Sequence, residues 1–130
     1  MNVDLVMMAL TAWREARGEG PQGMLAVAWV IANRVKAGIE GTCALDVVTA
    51  KWQFSSLTAP GDAMLIQWPH SSDPAWIEAC SAATTAMSGS SADPTGGATD
   101  YANLAVCDPA WAKVYKRSAV IGHHTFFTRI

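Results

Sequence analysis

Residues 13–35 read WREARGEGPQGMLAVAWVIANRV, the end of one helix, a turn, and the whole apolar run of another. Upstream of the turn, Val3, Val6, Met7, Leu10 and Trp13 recur at helical spacing and predict a helix from about Val3 to Arg17. Beside that line runs a second one, Leu5, Met8, Ala12 and Glu15, while Asp4, Thr11 and Arg14 form the remaining polar strip. Glu15 therefore extends an apolar line rather than the solvated one, and that placement asks for an explanation. Gly18, Gly20 and Pro21 end the first helix, and Pro21 suits the first turn of a second, which runs to about Ala37 with Gly38 as its stop. From Met24 to Ala32 this second helix has no polar side, so it is expected to be the central, most buried element.

Working outward, Thr42 is a candidate cap for a short helix through Ala44 to Val48, and KWQFSSLTAPGD (51–62) reads as a loop. Ser72 or Asp73 before Pro74 starts a further helix that continues to Gly89. ATDYANLAV (98–106) alternates and predicts short strands, with a small hairpin as one arrangement. Asp108 and Pro109 open a short helix, and AVIGHHTFF (119–127) reads as a final strand. The expected class is α+β, mostly helical with a small β element, as a single domain over 1–130 with no internal repeat.

The totals narrow the function. The chain of 130 residues is 51% hydrophobic and 15% charged, which excludes a disordered tail. A net charge of −2 without any Lys or Arg run supplies no footprint for nucleic acid. The longest apolar stretch, Met24 to Ala32, is far below the roughly 18 residues of a membrane span. The start, MNVDLVMMAL, has no basic leader and carries Asp4, so a product made in the cytoplasm without a signal peptide is expected. Cys43, Cys80 and Cys107 are odd in number and widely spaced, and read mainly as small buried residues rather than as a disulfide framework or a zinc site.

Each chemistry-bearing group has a plainer alternative. Glu15, in the last turn of a helix with apolar neighbours, meets two influences that disfavour its ionised form, the negative end of the macrodipole and desolvation. A protonated acid of that kind is what cleavage of a glycosidic bond requires. The alternative is a helix-end ion pair with Arg14 or Arg17. Glu19 is a candidate partner carboxylate or, more simply, a favourable charge at the start of the next helix. Gln53, Phe54, Ser55 and Ser56, with Trp52 and Trp68, offer the amide, hydroxyl and aromatic groups of a sugar site, or a loop that tucks Phe54 into the core. His123 and His124 would face opposite sides of a strand, and no second metal-binding motif accompanies them, so neither metal nor cofactor is expected. GSSAD (89–93) lacks the G-x-S-x-G turn of serine hydrolases.

Taken together, WREARGEGPQGMLAVAWVIANRV, QFS, DPTGGATDYAN and IGHHTFF resemble the cell-wall hydrolase family typified by the spore-cortex-lytic enzyme SleB. The similarity spans nearly the whole chain, and E-A-R-G-E-G-x-x-G-M running into N-R-V is its most specific part. The resemblance implies a lysozyme-like, lytic-transglycosylase-like domain that cleaves the glycan strands of peptidoglycan, with Glu15 as the essential acid. By position it also implies that Gln53, Phe54, Ser55 and Tyr101 line the sugar groove. Two residues depart from the pattern: Asp100 stands where relatives commonly have His after GGAT, and His123 where Asn is usual.

The function expected is cleavage of the β-1,4 bond between N-acetylmuramic acid and N-acetylglucosamine, on resemblance as a lytic transglycosylase. A hydrolytic muramidase would need a second carboxylate, for which Glu19 and Asp100 are the candidates. The chain further resembles a phage endolysin, a monomer that reaches the wall after holin-type release. The rivals are a non-catalytic glycan-binding or phage structural module and, more remotely, a Cys-His peptidase.

Overall fold

The computed structural model describes residues 2–51 and 53–129. Helix α1 (Val3–Ala16) is capped by Asn2, whose side chain accepts from Leu5 N, and a 3₁₀ turn, Arg17–Glu19, leads at once into α2 (Gly20–Ala37). Gly38, at φ 71°, ends α2 in the left-handed conformation that favours glycine. There follow α3 (Ala44–Thr49), α4 (Ser55–Thr58) and α5 (Pro74–Ser88), then β1 (Asp100–Ala102), a 3₁₀ turn at Ala110–Lys113, β2 (Lys116–Ile121) and β3 (His124–Thr128).

Helices α1, α2 and α5 pack on one another, and Met8, Leu10, Trp13, Met24, Val27, Ile31, Val47, Val48 and Phe54 fill the space between them and α3. Fully burying such side chains contributes about 1.5–3 kcal/mol each. The three strands lie in the order β1-β3-β2, all antiparallel, with Tyr101 opposite Phe126. Phe126 and Ala98 meet Ala26 and Val30 of α2 in a second, smaller apolar cluster, so one helix carries both the bundle and the sheet.

Several expectations change. Val3 and Val6 are exposed, whereas Thr11 and Arg14, assigned to a solvated strip, are buried. The Arg14 guanidinium donates to the carbonyls of Ser56 (3.0 Å), Gln67 (3.2 Å) and Leu65 (3.4 Å) and sits over the Trp68 ring. The irregular 55–67 stretch carries carbonyls that need donors, and Arg14 supplies them from inside the bundle. The predicted loop at 51–62 contains α4, and the cap of α3 comes from Asp4, whose carboxylate accepts from Leu45 N, rather than from Thr42. The final strand is a hairpin, β2 and β3, turned at Gly122 and His123, and β1 pairs with β3 instead of forming a hairpin of its own. Cys43 and Cys80 are half-buried, Cys107 is exposed, and all three are free thiols. Among the described residues no helix is long and apolar enough to cross a membrane.

Asp73 joins two elements, accepting from Ala75 N at the start of α5 (2.9 Å) and from the Trp13 indole of α1 (3.1 Å). Asp73→Ala is expected to lower stability by about 1–2 kcal/mol, seen as an earlier urea midpoint with an unchanged slope.

Candidate active site

Glu15 lies one residue from the end of α1, half-buried, at the junction of two cavities. One, of about 500 Å³, is bounded by Arg34, Glu40, Gln53, Asp100, Trp111 and Arg129. The other, of about 460 Å³, is bounded by Lys51, Gln53, Ser55, Thr58, Ala59 and Pro60. Glu15 and Gln53 are the residues that line both, so a chain laid through the two would pass over the Glu15 carboxyl.

The Tyr101 hydroxyl donates to Glu15 Oε1 at 2.7 Å. Burial pushes this phenol well above its ordinary range, and the Glu15 charge and the hydrogen bond push further, so Tyr101 stays protonated and remains a donor. With Oε1 accepting from Tyr101, Oε2 is the carboxyl oxygen left to meet a ligand. The Tyr101 ring is held by Phe54, by Phe126 and by His124, whose ring meets it edge-on at 4.9 Å. Burial holds His124 below its usual range, against the opposing pull of the Glu19 and Glu15 charges.

Neither arginine suspected of pairing with Glu15 does so. Arg14 is committed to carbonyls, and Arg17 donates to Trp13 O and to the Gln67 side chain while lying over the Trp13 ring. The helix-end ion pair is thus not what the structure builds.

The cavity floor is a buried ionic cluster. Arg34 donates from Nε to Thr99 O (2.6 Å), from Nη1 to Gln53 Oε1 (2.8 Å) and from Nη2 to Asp100 Oδ1 (3.0 Å). Arg129 donates from Nε to Asp100 Oδ2 at 3.0 Å and from Nη2 to Asp100 Oδ1 at 3.2 Å, and Thr99 Oγ1 donates to the same carboxylate. Asp100, on β1, therefore sits beneath the cavity with both oxygens engaged.

Glu19 faces elsewhere. Its carboxylate accepts from His123 N (3.4 Å) and pairs with His123 Nδ1 (2.9 Å) in the β2–β3 turn, and it lines neither cavity that Glu15 lines. The His123 hydrogen bond, opposed by a smaller cost of burial, holds Glu19 below the usual carboxylate range, so it is ionised. Gly122, at φ 58°, permits this approach, since a Cβ there would overlap the Glu19 carboxylate.

Of the residues picked from sequence, Glu15, Gln53, Phe54, Ser55, Asp100 and Tyr101 come together around the two cavities, with Phe54 both buried in the core and on a cavity wall. Trp68 is exposed beside a separate hollow with Val6, Leu10 and Trp76, and Trp52 lies outside the described residues. Sequence reasoning missed Arg34, Glu40, Trp111, Tyr115 and Arg129. Arg34 had a signal, since it continues the buried line Val27, Ile31 of α2 just as Glu15 continues that of α1.

Residues 18–127 match the family described as Cell Wall Hydrolase, and the chain belongs to that family. Its structure is similar to the catalytic domain of the germination-specific lytic transglycosylase SleB from Bacillus anthracis, at 30% identity and a TM-score of 0.77 over 96% of this chain and 93% of that one. It is equally similar to the catalytic domain of the Bacillus cereus SleB protein, at 29% identity and 0.77 over 96% of this chain and 89% of that one. No curated protein matches the sequence.

Tyr101→Phe keeps the ring packing and removes the donor to Glu15. It is expected to lower kcat on peptidoglycan roughly 10-fold or more with little change in KM, whereas a change confined to KM would make Tyr101 a substrate contact instead. For His124, whose folded value is depressed, the unfolded chain takes up the proton first. Stability is therefore fully present above about pH 6.5 and is lost as pH falls from there through the folded value. Urea midpoints should fall over that window in the wild type and fall less in His124→Phe.

Proposed function

We propose that this cell-wall hydrolase cleaves the β-1,4 bond between N-acetylmuramic acid and N-acetylglucosamine, acts as a lytic transglycosylase and works as a monomer. The observation that carries the reading is Glu15 at the junction of two cavities with Tyr101 donating to one carboxyl oxygen. The glycan lies through both cavities with the scissile oxygen at Glu15. Glu15 gives its proton to that oxygen as the bond from C1 of the muramyl residue breaks, and N-acetylglucosamine leaves with a free 4-hydroxyl. The muramyl 6-hydroxyl then attacks C1 and passes its proton to the Glu15 carboxylate, which restores the acid. The product is a 1,6-anhydro sugar, and no second carboxylate takes part.

The positions of the two carboxylates considered for a muramidase favour this route. Asp100 is held by Arg34, Arg129 and Thr99, and Glu19 is turned to His123, so neither is free to activate a water. The similar domain from Bacillus anthracis belongs to a lytic transglycosylase, which points the same way.

The proposal extends to a phage endolysin role, with the enzyme made in the cytoplasm and admitted to the wall by a holin. Cells that express the chain should lyse on co-expression of a holin and stay intact without one.

Glu15→Gln, which keeps the shape but has no proton to give, should slow clearing of a peptidoglycan suspension by about 10²–10⁴-fold while the protein stays folded. Mass spectrometry of the wild-type digest should show 1,6-anhydromuramic ends. Reducing muramic acid would establish a muramidase, and a wild-type protein that binds walls but never clears them would be a glycan-binding module.

A further inference from the structure

Glu19 has no part in the acid chemistry, yet the fold is shaped around its side chain. It ends the 3₁₀ turn that joins α1 to α2 and occupies the N-cap position of α2 without making a capping hydrogen bond. The side chain reaches instead to the tip of the β2–β3 hairpin, 104 residues away in the chain. Two glycines leave it room. A Cβ at Gly23 would overlap the Glu19 Cβ, and one at Gly122 would overlap its carboxylate. Gly23 lies inside α2, where glycine weakens a helix and where no left-handed conformation asks for it, so space for Glu19 is what that position provides.

At the tip, His123 N donates to Glu19 Oε2 (3.4 Å), and His123 Nδ1 lies 2.9 Å from Oε1. The next residue, His124, opens β3 and sets its ring edge-on against Tyr101 at 4.9 Å, closer than Phe126 (5.6 Å) or Phe54 (6.4 Å). His124 Nδ1 is buried and has no hydrogen-bond partner among the described residues, so the ring is placed by packing and by the backbone that His123 anchors. Tyr101 in turn donates to Glu15 Oε1 (2.7 Å). The contacts close a circuit: from Glu15 through the 17–19 turn to Glu19, across to His123 and His124, and back through Tyr101 to Glu15. An ion pair with one exposed partner adds little to stability, so its worth lies in the place it gives the hairpin tip.

We propose that Glu19 is a positioning residue: by latching the β2–β3 tip to the α1–α2 turn it holds His124 against Tyr101, and so keeps the Tyr101 hydroxyl on the Glu15 carboxyl. The assignment rests on the glycan-cleaving reading. It gives the second glutamate of E-A-R-G-E a task that needs no second carboxylate in the reaction.

The test is a double-mutant cycle with kcat and KM measured on peptidoglycan. Glu19→Ala is expected to lower kcat about 5-fold with KM within about 2-fold, while Glu19→Gln, whose carboxamide can accept from His123 N and donate to Nδ1, recovers most of the loss. In a Tyr101→Phe background, where no hydroxyl is left to place, Glu19→Ala should change kcat by less than about 2-fold. A Glu19→Ala enzyme with wild-type kcat, or losses that multiply in the double variant, overturns the latch. Without any turnover, the Tyr101 ring signals in an NMR spectrum should shift in Glu19→Ala while those of Trp76, beside the separate hollow with Val6 and Leu10, stay in place. Unshifted Tyr101 signals overturn the latch as well. Should Glu19→Ala not fold, His123→Ala at the exposed tip takes its place: a loss of kcat that Tyr101→Phe masks supports the latch, and an unchanged kcat overturns it. Failure of the glycan-cleaving reading would look different, as a wild-type enzyme that releases no fragments from peptidoglycan, and the Tyr101 signals would then decide the latch alone.

Discussion

The structure depends on one buried cation. Arg34 leaves the end of α2 inside the protein and reaches two segments at once: Thr99 and Asp100 at the start of β1, and Gln53 in the stretch before α4. Its neighbour Asn33 donates to Asp93 and to Ala98 O, so the last turns of one helix grip the whole approach to the sheet. Without a carboxylate such a guanidinium could not stay buried, and Asp100 is that carboxylate, shared with Arg129. Breaking a buried pair of this kind typically costs about 3–5 kcal/mol because one charge is left uncompensated. The same cluster that secures the sheet is the floor of the cavity, so stability and site geometry cannot be varied separately here.

That coupling explains how Glu15 comes to be useful. It sits on α1, while its hydrogen-bond partner Tyr101 sits on β1, the strand that Arg34 holds against α2. A shift of β1 would carry Tyr101 away from the carboxyl and open Asp100 to solvent. Arg14 does the corresponding work on the other side, drawing the carbonyls of the 56–67 stretch toward α1 beside the second cavity. Glu15 thus lies between two walls, each anchored by a buried arginine, and the groove forms where they meet.

Much of this was legible in the sequence. The helical periods, the Gly20–Pro21 turn, the Gly38 and Gly89 stops and the Asp73–Pro74 start placed α1, α2 and α5 closely, because local chemistry decides where a helix begins and ends. Glu15 stood out because a carboxylate on an apolar line is costly without a purpose. The hairpin was less visible, since β2 and β3 are short and the run 119–127 hides a turn at Gly122 that only the pairing reveals. Arg14 was misplaced on a solvated strip because periodicity records which residues share a face and not what a buried donor can satisfy on another segment. The cavity wall at Trp111 and Tyr115 was out of reach for the same reason: it faces Glu15 only because β1 and β3 pair across the fold.

The central claim is that a glycan strand runs through both cavities with its scissile oxygen at residue 15. A crystal structure of the Glu15→Gln protein bound to a peptidoglycan oligosaccharide would test it most directly. Sugar rings on both sides, with the bridging oxygen within hydrogen-bond reach of the substituted amide and Tyr101 still contacting that side chain, is the result the account predicts. An oligosaccharide seated on another face, or confined to one cavity with no glycosidic oxygen near residue 15, would contradict it.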